Sequence, residues 1–281
     1  MTRKFLLIPC LLLCAAQALG EPVPAGRPKV GLVLAGGGAR GIAHVGVIQV
    51  LEELRIPVDA IAGTSMGALV GGLYASGMSA AELDEVVANM DWGRAFEDRV
   101  GREELPPRRK SDDFDYPTDI TVSVREGKVS LPLGVVQGQQ VRQMIKELMQ
   151  PVVDIEDFDR LPIPYRAVAT DIETGDGYVF SHGDVVTAMR ASMSLPGLLA
   201  PVEHEGRLLV DGGMANNIPV DVARAMEVDR LVVVDIGTPL KKRDEISSLL
   251  SVTDQVLGFL TRRNSEQQLA TLGPQDLLIR P

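Results

Sequence analysis

The chain has 281 residues, a formal net charge of −10 and 45% hydrophobic residues. The acidic excess disfavours nucleic acid as a partner, and it disfavours tight electrostatic docking on anionic membranes. Both cysteines, Cys10 and Cys14, fall within the first twenty residues, so the chain after them has no disulfide, thiol nucleophile or thiolate metal site.

Residues 1–20 read as a signal peptide. Arg3 and Lys4 give a basic start, and residues 5–16 are apolar apart from Pro9 and too short to span a bilayer. Ala16-Gln17-Ala18 and Ala18-Leu19-Gly20 offer small residues for cleavage. Leu13 stands before Cys14, where a lipoprotein signal wants a small residue. Export is the expectation, to the periplasm, the outer membrane or the medium. Removing Arg3 and Lys4 takes the net charge from −10 to −12. Residues 21–28 read as a linker, and residues 29–281 suffice for one α/β domain.

Residues 29–35 form a short apolar run suited to a buried parallel strand. A glycine loop follows, Gly36-Gly37-Gly38-Ala39-Arg40-Gly41, and then apolar residues at helical spacing over 42–54. Residues 60–62 predict a strand running straight into Gly63-Thr64-Ser65-Met66-Gly67. That segment fits a nucleophile elbow, G-x-S-x-G, a sharp turn that lifts a serine hydroxyl clear of the sheet. The small apolar run 68–76 predicts a helix packed closely on a sheet, and Ser79-Ala80-Ala81-Glu82 matches a capping box for the next helix. Residues 98–117 predict a charged surface loop, whose Arg108-Arg109-Lys110 reads as a solvated stretch or a lipid-headgroup site.

A hairpin is expected over 120–131, a helix over 141–149 and a strand over 165–170 ending at Asp171. A helix over 185–193 stops near Pro196-Gly197, and a strand over 207–210 delivers Asp211-Gly212-Gly213. A last strong strand at 231–235 and a helical tail at 246–272 complete the chain. This alternation implies a mainly parallel central sheet with helices on both faces. Ligand sites in such sheets lie beyond the carboxyl ends of the strands. The glycine loop, Ser65 and Asp211 each come directly after a predicted strand.

A serine hydroxyl needs activation at neutral pH. The three histidines, His44, His182 and His204, do not follow the chain order of an α/β hydrolase, where the histidine comes after the acid. A carboxylate bonded directly to the serine can accept its proton if burial raises its basicity, which favours Asp211 over the histidines. Gly37 and Gly38 offer backbone donors for an oxyanion, and Met66 adds its amide. Arg40 stabilises that loop or contributes charge, with a structural ion pair as the alternative. The loop also matches G-x-G-x-x-G, but Asp59 precedes its strand where a dinucleotide site wants an acid ending it. Asp171 and Asp176 match no EF-hand spacing. Asn216 and Asn217 are placed to orient active-site backbone or to make structural hydrogen bonds.

With these motifs in place, the chain closely resembles the patatin-like phospholipases over residue 29 to about residue 240. Ala62-Gly63-Thr64-Ser65-Met66-Gly67-Ala68, Ala191-Ser192-Met193-Ser194-Leu195-Pro196 and Leu209-Val210-Asp211-Gly212-Gly213-Met214 carry the likeness to a bacterial subgroup. The resemblance implies a three-layer α/β/α sandwich and a Ser65–Asp211 dyad that cleaves phospholipid or other lipid esters without a histidine. It implies an oxyanion hole from Gly36, Gly37, Gly38, Arg40 and Met66, with Gly41, Gly63, Gly67, Gly212 and Gly213 as motif glycines. No cofactor or metal requirement is visible in the sequence, with calcium dependence left open; the resemblance implies transient contact with a membrane surface and a homodimer that the 246–272 tail can serve. Secreted members often continue into a POTRA domain and an outer-membrane β-barrel, so the chain is expected to be such an N-terminal part or a free-standing lipase. Met193, Leu195, Leu198 and Leu199 are expected to line an acyl path or to pack in the core. A small-ester esterase and a non-catalytic lipid-binding scaffold are the alternatives.

Overall fold

The computed structural model describes residues 26–95, 123–125, 128–130, 134–237 and 239–281. The expected leader at 1–20 and the loop at 98–117 lie outside the described residues.

Strand β1 (Val30–Leu34) opens the domain, its entry fixed by two carboxylates: the amides of Lys29 and Val30 donate to Asp229 and Asp59. A 3-10 turn (Gly38–Ile42) leads into α1 (Ala43–Glu53), then β2 (Ala60–Thr64) and α2 (Met66–Ala75). Helix α3 (Ala80–Asn89) carries the expected capping box, with Ser79 and Glu82 bonded reciprocally, and α4 (Trp92–Ala95) comes next. The short strands β3 (Ser123–Arg125) and β4 (Lys128–Ser130) pair antiparallel, within the hairpin expected there. β5 (Gly134–Val136) precedes α5 (Gln139–Leu148). Next come β6 (Tyr165–Asp171), β7 (Gly177–Phe180) and α6 (Val185–Ser192). β8 (Gly197–Leu199), β9 (Val202–His204) and β10 (Arg207–Asp211) lead to the short helices α7 (Gly213–Asn216) and α8 (Val220–Arg224). β11 (Arg230–Val234), the long α9 (Leu249–Leu269) and β12 (Leu277–Ile279) end the chain.

The central sheet runs β12-β11-β1-β2-β6 with every neighbour parallel. The parallel half is as the alternating pattern predicts. Beyond it, β10 and β7 pair antiparallel with β6, and β9 pairs antiparallel with β10. Glu205 and Gly206, both with positive φ, make the tight turn between β9 and β10.

Helices α1, α2, α3 and α6 form one layer, with α2 against β1, β2 and β6. Helices α7 and α8 lie against β6, β1, β2 and β11 and are covered by α9. The result is a three-layer α/β/α arrangement. Sandwiched strands read as continuous apolar runs, and β2 is buried at every residue. Nine of the ten residues of α2 are buried as well, which is why its sequence is apolar and small all round. Differences from expectation concern element ends, edge strands and the short helices α4, α7 and α8. Ser248 caps α9, so the tail helix starts at Leu249. α1 starts one residue late, after the 3-10 turn. The short strands β5, β7, β8 and β12 carry too little periodicity to be read.

Candidate active site

Strand β7 occupies one edge of β6 from Ala167 to Thr170. The other edge is shared. β2 runs parallel to β6 and ends with Thr64 opposite Val168. β10 runs antiparallel and ends with Asp211 opposite Ala169. The two strands therefore meet carboxyl end to carboxyl end, and Ser65, the next residue after β2, is brought to Asp211 there.

Ser65 follows Thr64 in the expected elbow, with φ 54° and ψ −121°. Such a backbone costs a non-glycine residue about 1–3 kcal/mol and persists where its surroundings over-determine it. The turn is possible because Gly63 and Gly67 pack on backbone: a Cβ on Gly67 would lie 2.2 Å from the Leu34 carbonyl oxygen, and one on Gly63 would lie 2.4 Å from that of Gly67. Gly41 packs on Met66 and Gly212 on the Val168 carbonyl with equally little room.

The Ser65 hydroxyl donates to Asp211 Oδ2 at 2.6 Å, and Asp211 Oδ1 accepts from the Gly213 amide at 2.8 Å. Burial pushes the Asp211 carboxyl up to about 6, against the lowering effect of those two hydrogen bonds. A carboxylate so placed is a stronger base than an exposed one and is already bonded to the proton it would take.

Among the described residues, no histidine lines the cavity above this pair. His44 is wholly buried in α1, its Nε2 bonded to the Ala35 carbonyl, and burial lowers its pKa to about 4. His204 packs against the rings of Tyr178 and Phe180, and the backbone of His182 forms an antiparallel bridge with that of Asp157. Asp59 is ion-paired with Arg27 at the opposite end of β2, and Asp171 is paired with Arg207.

The glycine loop lies beside Ser65. Gly36 is a correction: its amide donates to the Asn217 carbonyl at 3.1 Å, so it supplies close approach and no free donor. Both the 3-10 turn and α2 start without a side-chain cap, which leaves the first amides, Gly38 and Met66, without an intrahelical acceptor. Gly37, Gly38 and Met66 line the cavity, and the positive end of α2 points at it. Arg40 also lines it, with its guanidinium on the Gly237 carbonyl.

The cavity measures about 770 Å³. Met66, Met193, Leu195 and Leu198 give it an apolar wall, and Leu195 and Leu198 are partly exposed at 38% each. Of the residues expected to line an acyl path or to pack in the core, Leu199 is fully buried and does not line the cavity. Two ion pairs also line the cavity, Arg262 with Glu266 on α9 and Arg280 with Asp235, together with Leu240, Leu257 and Leu269. Several supports have no signature in the sequence. Thr64 Oγ1 donates to the Asn216 carbonyl and Thr170 Oγ1 to the Asp211 carbonyl. The Asn264 side chain, from α9, bonds the Asn217 amide and the carbonyls of Gly213 and Met214. Asn264 sits in a charged helix with no local signal, so only its contacts reveal it. The Asn217 carbonyl holds the Gly36 amide, while the Asn216 carbonyl holds the Thr64 hydroxyl.

A strained serine at the end of a central strand, bonded to a buried carboxylate and flanked by free helix-start amides, defines an α/β protein with a serine–carboxylate site. The sequence profile of the patatin-like phospholipases matches residues 32–224, and the chain belongs to the patatin-like phospholipase family. It is 34% identical over 210 residues to an uncharacterized NTE family protein of Mycobacterium tuberculosis, covering 75% of this chain and 49% of that protein. It is 37% identical over 210 residues to lysophospholipase NTE1 of Mycosarcoma maydis, covering 75% of this chain and 10% of that protein. The solved structure of VipD from Legionella pneumophila aligns with a TM-score of 0.48 at 18% identity, covering 78% of this chain and 52% of that one. The chain thus spans about half or less of the length of the curated relatives it matches.

Proposed function

We propose that the protein is a serine lipid acyl hydrolase of the phospholipase A type. The observation that carries this reading is the 2.6 Å hydrogen bond from the Ser65 hydroxyl to buried Asp211 at the floor of the cavity. Ser65 Oγ attacks the ester carbonyl while its proton passes to Asp211. The amides of Gly37, Gly38 and Met66 receive the oxyanion, each worth roughly 3 kcal/mol in the transition state. Asp211 returns the proton to the departing alkoxide. Water then attacks the acyl-serine and gives its proton to Asp211, which passes it to Ser65 Oγ as the fatty acid leaves.

Family membership and a relative named as a lysophospholipase support a lipid ester as substrate. The apolar wall suits an acyl chain. Apolar residues exposed on α9, among them Val256 and Phe259, suit passing contact with a membrane or a second copy of the chain. The leader read over residues 1–20 supports export.

The test is hydrolysis of defined phospholipids by the parent, Ser65→Ala and Asp211→Asn, with the released fatty acid and lysolipid identified. Loss in both variants supports the reading. An active Asp211→Asn enzyme refutes the base. A parent that cleaves only short soluble esters refutes the lipid substrate.

A further inference from the structure

We propose that Ser192 is a positioning residue for the nucleophile, an inference that rests on the serine–aspartate reading above. The Ser65 amide lies beyond the last residue of β2 and before the first of α2. Its hydrogen bond goes to a side chain: it donates to Ser192 Oγ at 2.8 Å. The same hydroxyl donates to the Val168 carbonyl at 2.5 Å, and Val168 is the residue of β6 opposite which β2 ends. Ser192 is 0% exposed, so water has no access to replace it. One hydroxyl thus accepts from the strained residue and donates to the strand beneath it, which ties the elbow to the sheet at one point.

The same segment holds the acid. The Asp211 amide donates to the Ser194 carbonyl at 2.9 Å and the Gly212 amide to the Ser192 carbonyl at 3.3 Å. Arg190, buried just before it in α6, bonds Ser194 Oγ and the Ala200 carbonyl and anchors the segment. The end of α6 is therefore a clamp on the backbone of both reacting residues, at the point where β2 and β10 stop. Ser192 touches neither the Ser65 hydroxyl nor the cavity, so it acts through the Ser65 backbone alone. Losing it leaves the part-buried Ser65 amide and the buried Val168 carbonyl without this partner and lets φ of Ser65 relax. A misplacement of about 1 Å at a reacting atom costs on the order of 100-fold in rate.

The experiment measures kcat and KM on a short-chain ester and a phospholipid, together with the rate at which a fluorophosphonate labels Ser65. In Ser192→Ala, kcat and the labelling rate fall by roughly the same factor, on the order of 100, while KM stays close to the parent's. Ser192→Cys keeps nearly the same shape with a weaker acceptor, and is folded and slow. Ser192→Thr keeps the hydroxyl and restores most of kcat. A folded Ser192→Ala or Ser192→Cys protein with parental kcat and labelling rate overturns the proposal, as does a loss confined to KM. A parent whose Ser65 is neither labelled nor needed for hydrolysis overturns the underlying serine–aspartate reading, and with it the positioning role.

Discussion

Ser65 and Asp211 are 146 positions apart in the chain and 2.6 Å apart in space, at the point where β2 and β10 run into each other along one edge of β6. The rung that ends β2 is next to the rung that ends β10. No loop has to reach across the sheet to bring the two residues together. The precision of the pair is that of the strand ladder, with the α6 segment holding both backbones.

The raised Asp211 pKa sets a pH window with opposite signs for activity and stability. Burial holds the carboxyl at about 6 against 3.8 for the ordinary side chain, so the fold favours the protonated acid. The stability it contributes is fully present below about pH 3.8 and is lost as pH rises through about 6, on the order of 3 kcal/mol by neutral pH. Asp211→Asn should therefore melt above the parent at pH 7.5, with the gap closing toward pH 4, as read by thermal unfolding across that range. Activity takes the reverse order, because the base must be ionised. A plot of kcat/KM against pH should rise through a value near 6.

Histidine replacement should leave the chemistry in place. His182→Ala and His204→Ala should keep parental kcat on a soluble ester, since neither residue lines the cavity. His44→Gln preserves a donor for the Ala35 carbonyl and should keep activity too. A loss of more than about tenfold in a folded variant would return the search for the base to that histidine.

Gly67→Ala should be among the most damaging single-methyl additions. The new Cβ would lie 2.2 Å from a backbone oxygen of β1, which no rotamer change relieves. Overpacking of this kind costs about 3 kcal/mol or more. A urea titration should show the midpoint falling by that equivalent.

Asn264→Ala should cost both stability and rate. Three hydrogen bonds from this side chain hold the backbone of Gly213, Met214 and Asn217, next to Asp211 and the glycine loop. At about 1 kcal/mol net each, the loss is about 2–3 kcal/mol, read by denaturant unfolding. The rate on any ester should fall as well, because Asn217 in turn holds Gly36.

Leu198→Asp should separate long acyl chains from short ones. Leu198 belongs to the apolar wall with Met193 and Leu195. Each buried methylene of substrate is worth about 0.8 kcal/mol. The variant should lose roughly tenfold or more in kcat/KM on long-chain esters and little on short ones. An unchanged chain-length profile would show that the acyl group lies elsewhere.

Ser65, the glycine loop and Asp211 are legible in the sequence because each sits in a local device. A serine in a left-handed turn needs glycines two residues to either side, and those letters stand in the sequence at Gly63 and Gly67. Chain order and an apolar strand ending in an acid point to Asp211 rather than the histidines, and the structure places Asp211 against the Ser65 hydroxyl. The role of Gly36 is not legible there, because its amide is consumed by Asn217, a residue 181 positions away.

Local pattern names the candidate groups: periodicity sets strands and helices, and glycine and serine chemistry sets the turns between them. The tertiary structure alone decided how those groups are held. Ser192, Asn264 and the orientation of β10 act through contacts between distant segments, and a single chain of letters carries no pattern for a hydrogen bond whose partners are set by packing. The reach of Asp211 to Ser65 depends on β10 being antiparallel to β6, a pairing that an alternating strand–helix pattern does not specify. Burial, which lifts the Asp211 carboxyl to about 6, likewise exists only once the layers have closed over it.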